Sequence, residues 1–387
     1  MMLDYEIINS DCLKAMKQMP DGCVDAIVTD PPYGLAFMGA NWDHNVPSVP
    51  YWSECLRVAK SGAHLLCFGG KRTFHRLMCA IEDAGWETRD TIMWVYGSGF
   101  PKSMDVGKAI DKALCAKRKE TSVRGRSGSK RNCMAGDFAG GEYMNTEPAT
   151  DQARQWDGWG TCLKPAWEPI IVARKPLDGT VAHNVMEYGT GAINIDGCRV
   201  PTHDEWTHAA TDSKPLGKNT YGHMERVEQR SNSLGRFPAN LVHDGSQEVL
   251  ELFPDNSGRN SDSPQSHRDG PKNCYGDYGD VRPAISQYDQ QGNAARFFYC
   301  AKASKRDRGE GNDHPTVKPN ALMRWLVRLV CSQGGTVLDP FMGSGSTGVA
   351  CMQEGMRFVG IDMDEHYCEI ANTRISRDTD RVFCESR

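Results

Sequence analysis

Residues 337–362, "VLDPFMGSGSTGVACMQEGMRFVGID", hold a complete structural unit. "GTVLDPF" reads as a strand that closes on an acid, "STGVACMQEG" has helical spacing, and "RFVGID" is a second strand. Gly343, Gly345 and Gly348 spell GxGxxG between strand and helix, and Asp362 ends the next strand. Strand, glycine turn, helix and strand in that order predict parallel strands with a ligand beyond their carboxyl ends.

The same rhythm fills the first hundred residues. "YEIINSD", "VDAIVTD", "AHLLCFGG" and "TIMWVYG" are strand candidates. Between them lie helices with one apolar face: Leu13 and Met16; Trp52, Cys55, Leu56 and Ala59; Phe74, Leu77, Met78 and Ile81. The rhythm stops near residue 100 and returns after 300 with "NALMRWLVRLVCS" and the opening unit. One α/β domain built from both chain ends and interrupted by a large insertion is expected. Its parts are 1–100 and 301–387 as two halves of that domain, a basic insertion at 101–165, a strand at 166–176, and a polar region at 177–300.

Composition excludes several classes. Net charge is −5 with 25% charged residues, so the whole chain is not a basic polymer-binding tail. No apolar run approaches the ~18 residues of a membrane span, and "MMLDYEIINSD" is not a signal peptide, so a cytoplasmic protein is expected. The 15 cysteines form no CxxC pair, which predicts reduced thiols and no metal site. His183, His203, His208, His223 and His243 lack metal-like spacing and read as surface or loop residues.

The GxGxxG loop fits a dinucleotide fold, and an NAD-dependent oxidoreductase is therefore one reading. Two features oppose it: Asp339 would repel a pyrophosphate, and Pro340-Phe341 intervenes before the glycines. A nucleoside with a cationic tail, such as S-adenosylmethionine, suits an acid there better. Phe341 would pack on its adenine, Asp362 would accept from its ribose, and Gly343, Ser344 and Gly345 would line the loop. A second acid-tipped strand end, "TDPPYG" at 29–34, then gains a purpose. An exocyclic amino group is a poor nucleophile because its lone pair is delocalised into the base. Asp30 and the Pro31 carbonyl would take its two hydrogens, Pro32 would stiffen the turn, and Tyr33 would stack on the base.

Together "NSDC" (9–12), "TDPPYG" (29–34), "HPTVKP" (314–319), "VLDPFMGSGSTG" (337–348) and "GIDMDEHYCEIANTRI" (360–375) resemble amino-group DNA methyltransferases. The resemblance is to the arrangement in which DPPY precedes the S-adenosylmethionine motif, and it covers somewhat under half the chain. It implies a Rossmann-like S-adenosylmethionine-dependent methyltransferase sheet with an inserted target-recognition region at 177–300. It implies Asp30, Pro31, Pro32 and Tyr33 for catalysis, and Asp11, Asp339, Phe341, Gly343, Ser344, Gly345 and Asp362 for the cofactor. "HPTVKP" is either a strap entering a helix or a further cofactor contact through Lys318 or Thr316. Adenine N6 is the expected target, with cytosine N4 as alternative. RNA or protein N-methylation, or an inactive DNA-binding homologue, are more distant readings. Cytosine C5 chemistry needs a Pro-Cys pair, and none of the 20 prolines precedes a cysteine.

Flipping a base out of duplex DNA costs a few kcal/mol, which phosphate contacts offset. Residues 102 to 131 carry ten Lys or Arg against three acids. Lys117, Arg118, Lys119, Arg124, Arg126, Lys130 and Arg131 are the expected DNA contacts, while Trp156, Trp159 and Trp167 are either base wedges or a local core. The resemblance also implies a double-stranded DNA partner, a homodimer, and a companion restriction endonuclease.

Overall fold

The computed structural model describes residues 5–35, 43–126, 142–201, 235–257, 291–302 and 304–385. β1 (Tyr5–Asn9), α1 (Cys12–Met16), β2 (Val24–Thr29), α2 (Val49–Val58), β3 (Ala59–Phe68), α3 (Phe74–Asp83) and β4 (Glu87–Val95) alternate regularly. An excursion follows: α4 (Val106–Ala113), the hairpin β5 (Lys119–Arg126) and β6 (Glu142–Glu147), and α5 (Asp151–Gln155). The chain returns through β7 (Trp167–Arg174) and α6 (Val181–Tyr188). Short pieces come next: β8 (Leu241–His243), α7 (Gln247–Leu250), β9 (Asp255–Ser257), β10 (Gln291–Asn293) and β11 (Tyr299–Cys300). Regular alternation resumes with α8 (Asn320–Val330), β12 (Thr336–Asp339), α9 (Ser346–Gln353), β13 (Arg357–Asp362) and α10 (Glu365–Glu385).

Nine described strands form one sheet in the order β1-β13-β12-β2-β3-β7-β4-β8-β11. Its pairings are parallel except those of β7, which runs against both β3 and β4. The apolar alternation explains why both faces are covered. Val28, Leu66, Phe68, Ile170 and Val172 point to the side of α8, α9 and α10. Ile27, Leu65, Cys67, Ile171 and Ala173 point to the side of α1, α2 and α3. All six residues of β2 are buried, so its side chains anchor the two layers at once.

Three sequence expectations need correction. The strand at 166–176 is present but reversed, because the excursion delivers the chain to the edge at which β3 and β4 end. The polar region 177–300 contributes β8 and β11 to the main sheet. His243 is not a surface residue: it is 3% exposed, accepts from the Gly245 amide at 3.1 Å, and burial pushes its imidazole pKa down. His183 is exposed as expected, whereas His203, His208 and His223 lie outside the described residues. Among the described residues no helix is long and apolar enough to cross a membrane.

Candidate active site

Sheet order reverses its direction between β12 and β2. From β12 the chain passes through α9 to β13 on one side; from β2 it passes through α2 to β3 on the other. The carboxyl ends of strands at such a switch point leave a crevice between diverging connections. The two acid-tipped loops meet there. Thr29 donates its hydroxyl to Asp339 Oδ1 at 2.7 Å, joining chain positions 310 residues apart.

Asp339 itself is turned inward, which corrects its expected contact with a ligand ammonium. It is 2% exposed and accepts also from Thr347 Oγ1 and, at 3.1 Å, from the Phe341 amide. Burial raises its carboxyl pKa to about 7, with those hydrogen bonds opposing. Ser344 is likewise committed to the protein: its buried hydroxyl accepts from Asn312 at 3.1 Å and Arg374 at 3.0 Å.

The glycine loop turns through left-handed backbone. Gly343 and Gly345 have φ of +53° and +78°, and a Cβ on Gly343 would stand 2.8 Å from His314 Nε2. Asp362 is half-buried, and its two oxygens each accept a backbone amide at 2.9 Å, from Gly343 and Asp364. A carboxylate has about four acceptor positions, so ribose hydroxyls still find room. Asp11 caps α1 through the Lys14 amide at 3.0 Å, two residues beyond Asn9, which pairs with Asp362 across β1 and β13. The Phe341 ring lies 6.2 Å from the rings of both Tyr51 and Trp52. Backbone cradle, half-buried acid and aromatic neighbour fit a nucleoside. Gly345 and Gly348 also serve packing, since a Cβ would stand 2.8 Å from Ala371 Cβ at the first and 2.7 Å from Phe358 Cε1 at the second.

Asp30 leaves the end of β2, followed by buried Pro31 and half-buried Pro32. The turn is fixed from behind by Asp43, which accepts the Gly34 and Leu35 amides at 2.8 and 3.2 Å, and Gly34 has φ +66°. Tyr33 donates its hydroxyl to Asp30 Oδ1 at 2.7 Å, and its carbonyl accepts from Thr73 at 2.6 Å. Burial, then the Asp30 charge, drives the Tyr33 pKa far up, so the phenol stays a donor.

Lys318, an expected cofactor contact, reaches the acid-proline turn. Its Nζ lies 2.6 Å from Asp30 Oδ2, 3.2 Å from Tyr33 Oη and 3.4 Å from Glu168 Oε2. "HPTVKP" is thus a strap that reaches both loops, with His314 over Gly343 and Lys318 on Asp30. Glu168 and Asp43 escaped the sequence reading. Glu168 sits in the apolar run "EPIIVARKP", where its neighbours proposed nothing but a strand.

Among the expected DNA contacts, Lys117 and Lys119 are exposed. Arg118 is turned inward, 3.0 Å from buried Asp111, and so braces the excursion. The side chains of Arg124 and Arg126, and residues Lys130 and Arg131, lie outside the described set. Trp156 and Trp159 pack edge to face at 5.0 Å and remain 40% and 60% exposed. Trp167 begins β7, its ring 6.2 Å from that of Phe74.

A doubly wound sheet with a glycine cradle and an acid-proline turn at its switch point defines a Rossmann-like α/β protein of the methyltransferase type. The chain belongs to the N6/N4 DNA methylase family, whose model matches residues 24–373. It is 33% identical over 89 residues to the type II methyltransferase M2.DpnII of Streptococcus pneumoniae, and 30% over 86 residues to M2.LlaDCHI of Lactococcus lactis subsp. cremoris. Those stretches are 23% and 22% of this chain and span about a third of each relative, 33% and 32%. Among solved structures, the M1.HpyAVI complex with SAM aligns with a TM-score of 0.40 at 15% identity, over 96% of this chain and 99% of that one. The cytosine-N4-specific PvuII DNA methyltransferase aligns with a TM-score of 0.43 at 11% identity, over 98% and 92%.

Proposed function

We propose that this protein transfers a methyl group from S-adenosylmethionine to adenine N6 of a base flipped out of double-stranded DNA. The observation that carries the reading is the meeting of Asp30 and the glycine cradle at one switch point, joined by the Thr29–Asp339 hydrogen bond. S-adenosylmethionine, when bound, supplies the electrophilic methyl. Gly343 and Gly345 let the backbone approach the nucleoside, and Asp362 accepts from its ribose. Asp30 accepts one amino hydrogen of the target base and the Pro31 carbonyl the other. The nitrogen lone pair is thereby localised and aimed at the methyl group, whose bond to sulfur would break as the bond to nitrogen forms, and one of those protons would leave through Asp30 to solvent.

Exposed Lys117 and Lys119 on the excursion serve the phosphates, and the polar residues of 177–300 read the bases. An intracellular site, pairing of two copies and a companion restriction endonuclease belong to the same reading. The type II names of the two relatives support the last of these.

Asp30→Ala tests the mechanism. Methyl incorporation into DNA is expected to fall below detection while S-adenosylmethionine binding, measured by calorimetry, stays within about threefold. Full transfer in that variant would sink the reading. Mass spectrometry of the nucleosides from modified DNA is expected to give N6-methyladenine; N4-methylcytosine would overturn the choice of base.

A further inference from the structure

The catalytic turn is gripped by charges that lie outside its own motif. Lys318 is 9% exposed, and its three N–H donors face three acceptors, Asp30 Oδ2, Tyr33 Oη and Glu168 Oε2, at 2.6, 3.2 and 3.4 Å. The Phe68 ring lies 4.7 Å away on another side. Glu168 comes from the reversed strand β7, and its other oxygen stands 3.4 Å from the Tyr96 hydroxyl. Two carboxylates, one ammonium and two phenols thus share one largely enclosed space. A carboxylate nearby disfavours the ionised form of another, and a cation between them favours it. Burial works against the Lys318 charge, but Asp30 and Glu168 outweigh it and hold the ammonium protonated.

We propose that Lys318 and Glu168 are positioning residues for the methyl-transfer step. Lys318 fixes the Asp30 carboxylate toward the incoming amino group. Glu168 shares the ammonium charge, so that Asp30 keeps accepting capacity for the substrate. The inference rests on the amino-methylation reading above. Asp30 is faced by Tyr33 on its own turn, Lys318 and His314 on the strap, Glu168 on β7, Asp339 on β12 and Cys67 on β3. Lys318 is the member of this set whose loss leaves Asp30 and Glu168 without an intervening cation.

The test is the pH–rate profile of DNA methylation by the full chain, measured for wild type, Lys318→Met, Glu168→Gln and the double variant. In Lys318→Met the two carboxylates lose the ammonium between them, so the acidic limb should move up by about one pH unit or more. Its kcat should fall about tenfold, with the S-adenosylmethionine Kd within about twofold of wild type. Removing the second acid in the double variant should return the limb to its wild-type position. A residue that merely supported the fold would not produce that return. Glu168→Gln alone should lower kcat about tenfold with KM for DNA unchanged. An unmoved limb in Lys318→Met, or a limb in the double variant no different from Lys318→Met, overturns the inference. Should Lys318→Met melt without a cooperative transition, Glu168→Gln decides alone, and wild-type kcat in it is the overturning result. Wild-type protein that methylates no DNA removes the functional reading itself, whereas active wild type with unaltered variants removes this inference only.

Discussion

At the scale of single residues, Asp339 illustrates how an acid can look like a ligand contact and act as a strut. Its carboxyl takes hydrogen bonds from β2, α9 and its own loop, and burial lifts its pKa from 3.8 to about 7. The folded state therefore binds this proton more tightly than the unfolded chain does. The stability it contributes is full below the unfolded value and is lost as pH rises through the folded one. Urea unfolding should lose on the order of 1–3 kcal/mol between about pH 4 and pH 7 from this group. Asp339→Asn should remove that part of the slope, and equal slopes in the two proteins would refute the assignment. Such residues mark where sequence reading stops. Asp30 stood out because two prolines and a tyrosine follow it at a strand end. Asp339 was legible as a partner of the same crevice, but not as buried, since the Thr29 and Thr347 hydroxyls that claim it lie on other elements. Glu168 was illegible because its meaning depends on Lys318, 150 positions away, and on the direction of the strand that carries it.

At the scale of elements, the packing of α9 depends on what its glycines leave out. Gly345 begins the helix and Gly348 lies in its first turn, where a side chain would enter the space of Phe358 on β13 and Ile375 on α10. Gly348→Val should cost about 1–3 kcal/mol through overpacking, read as a lower denaturant midpoint. A midpoint equal to wild type would mean that α10 yields freely. The GxGxxG spelling announced a tight strand–helix turn correctly, but a motif alone does not divide its glycines between ligand and packing. Long strands were equally legible, since both faces of β2 and β3 are apolar and covered by helices. The reversed sense of β7 was not, because periodicity carries no direction. β8 and β11, of three and two residues, are too short to leave any period at all.

At the scale of the molecule, neither end of the chain completes a sheet by itself. β13 lies between β12 and β1, and β12 continues onto β2, so the last two strands each border a strand from the first thirty residues. Residues 301–387 expressed alone should show no cooperative thermal transition; a sharp one would mean that this half folds independently. The order of motifs along the chain made this joining foreseeable, because the acid-proline turn and the glycine loop have one crevice to share. The excursion between β4 and β7 follows a different rule. It leaves the sheet after Tyr96 and returns at Ala166, and the Tyr96 amide donates to the Ala166 carbonyl at 2.9 Å. Because β7 runs backwards, departure and return use one doorway on the rim that carries Asp30. Sequence inserted between those two points leaves and rejoins the sheet without rerouting a strand. The architecture thus provides a socket whose filling can change in length while the strands beneath it keep their order.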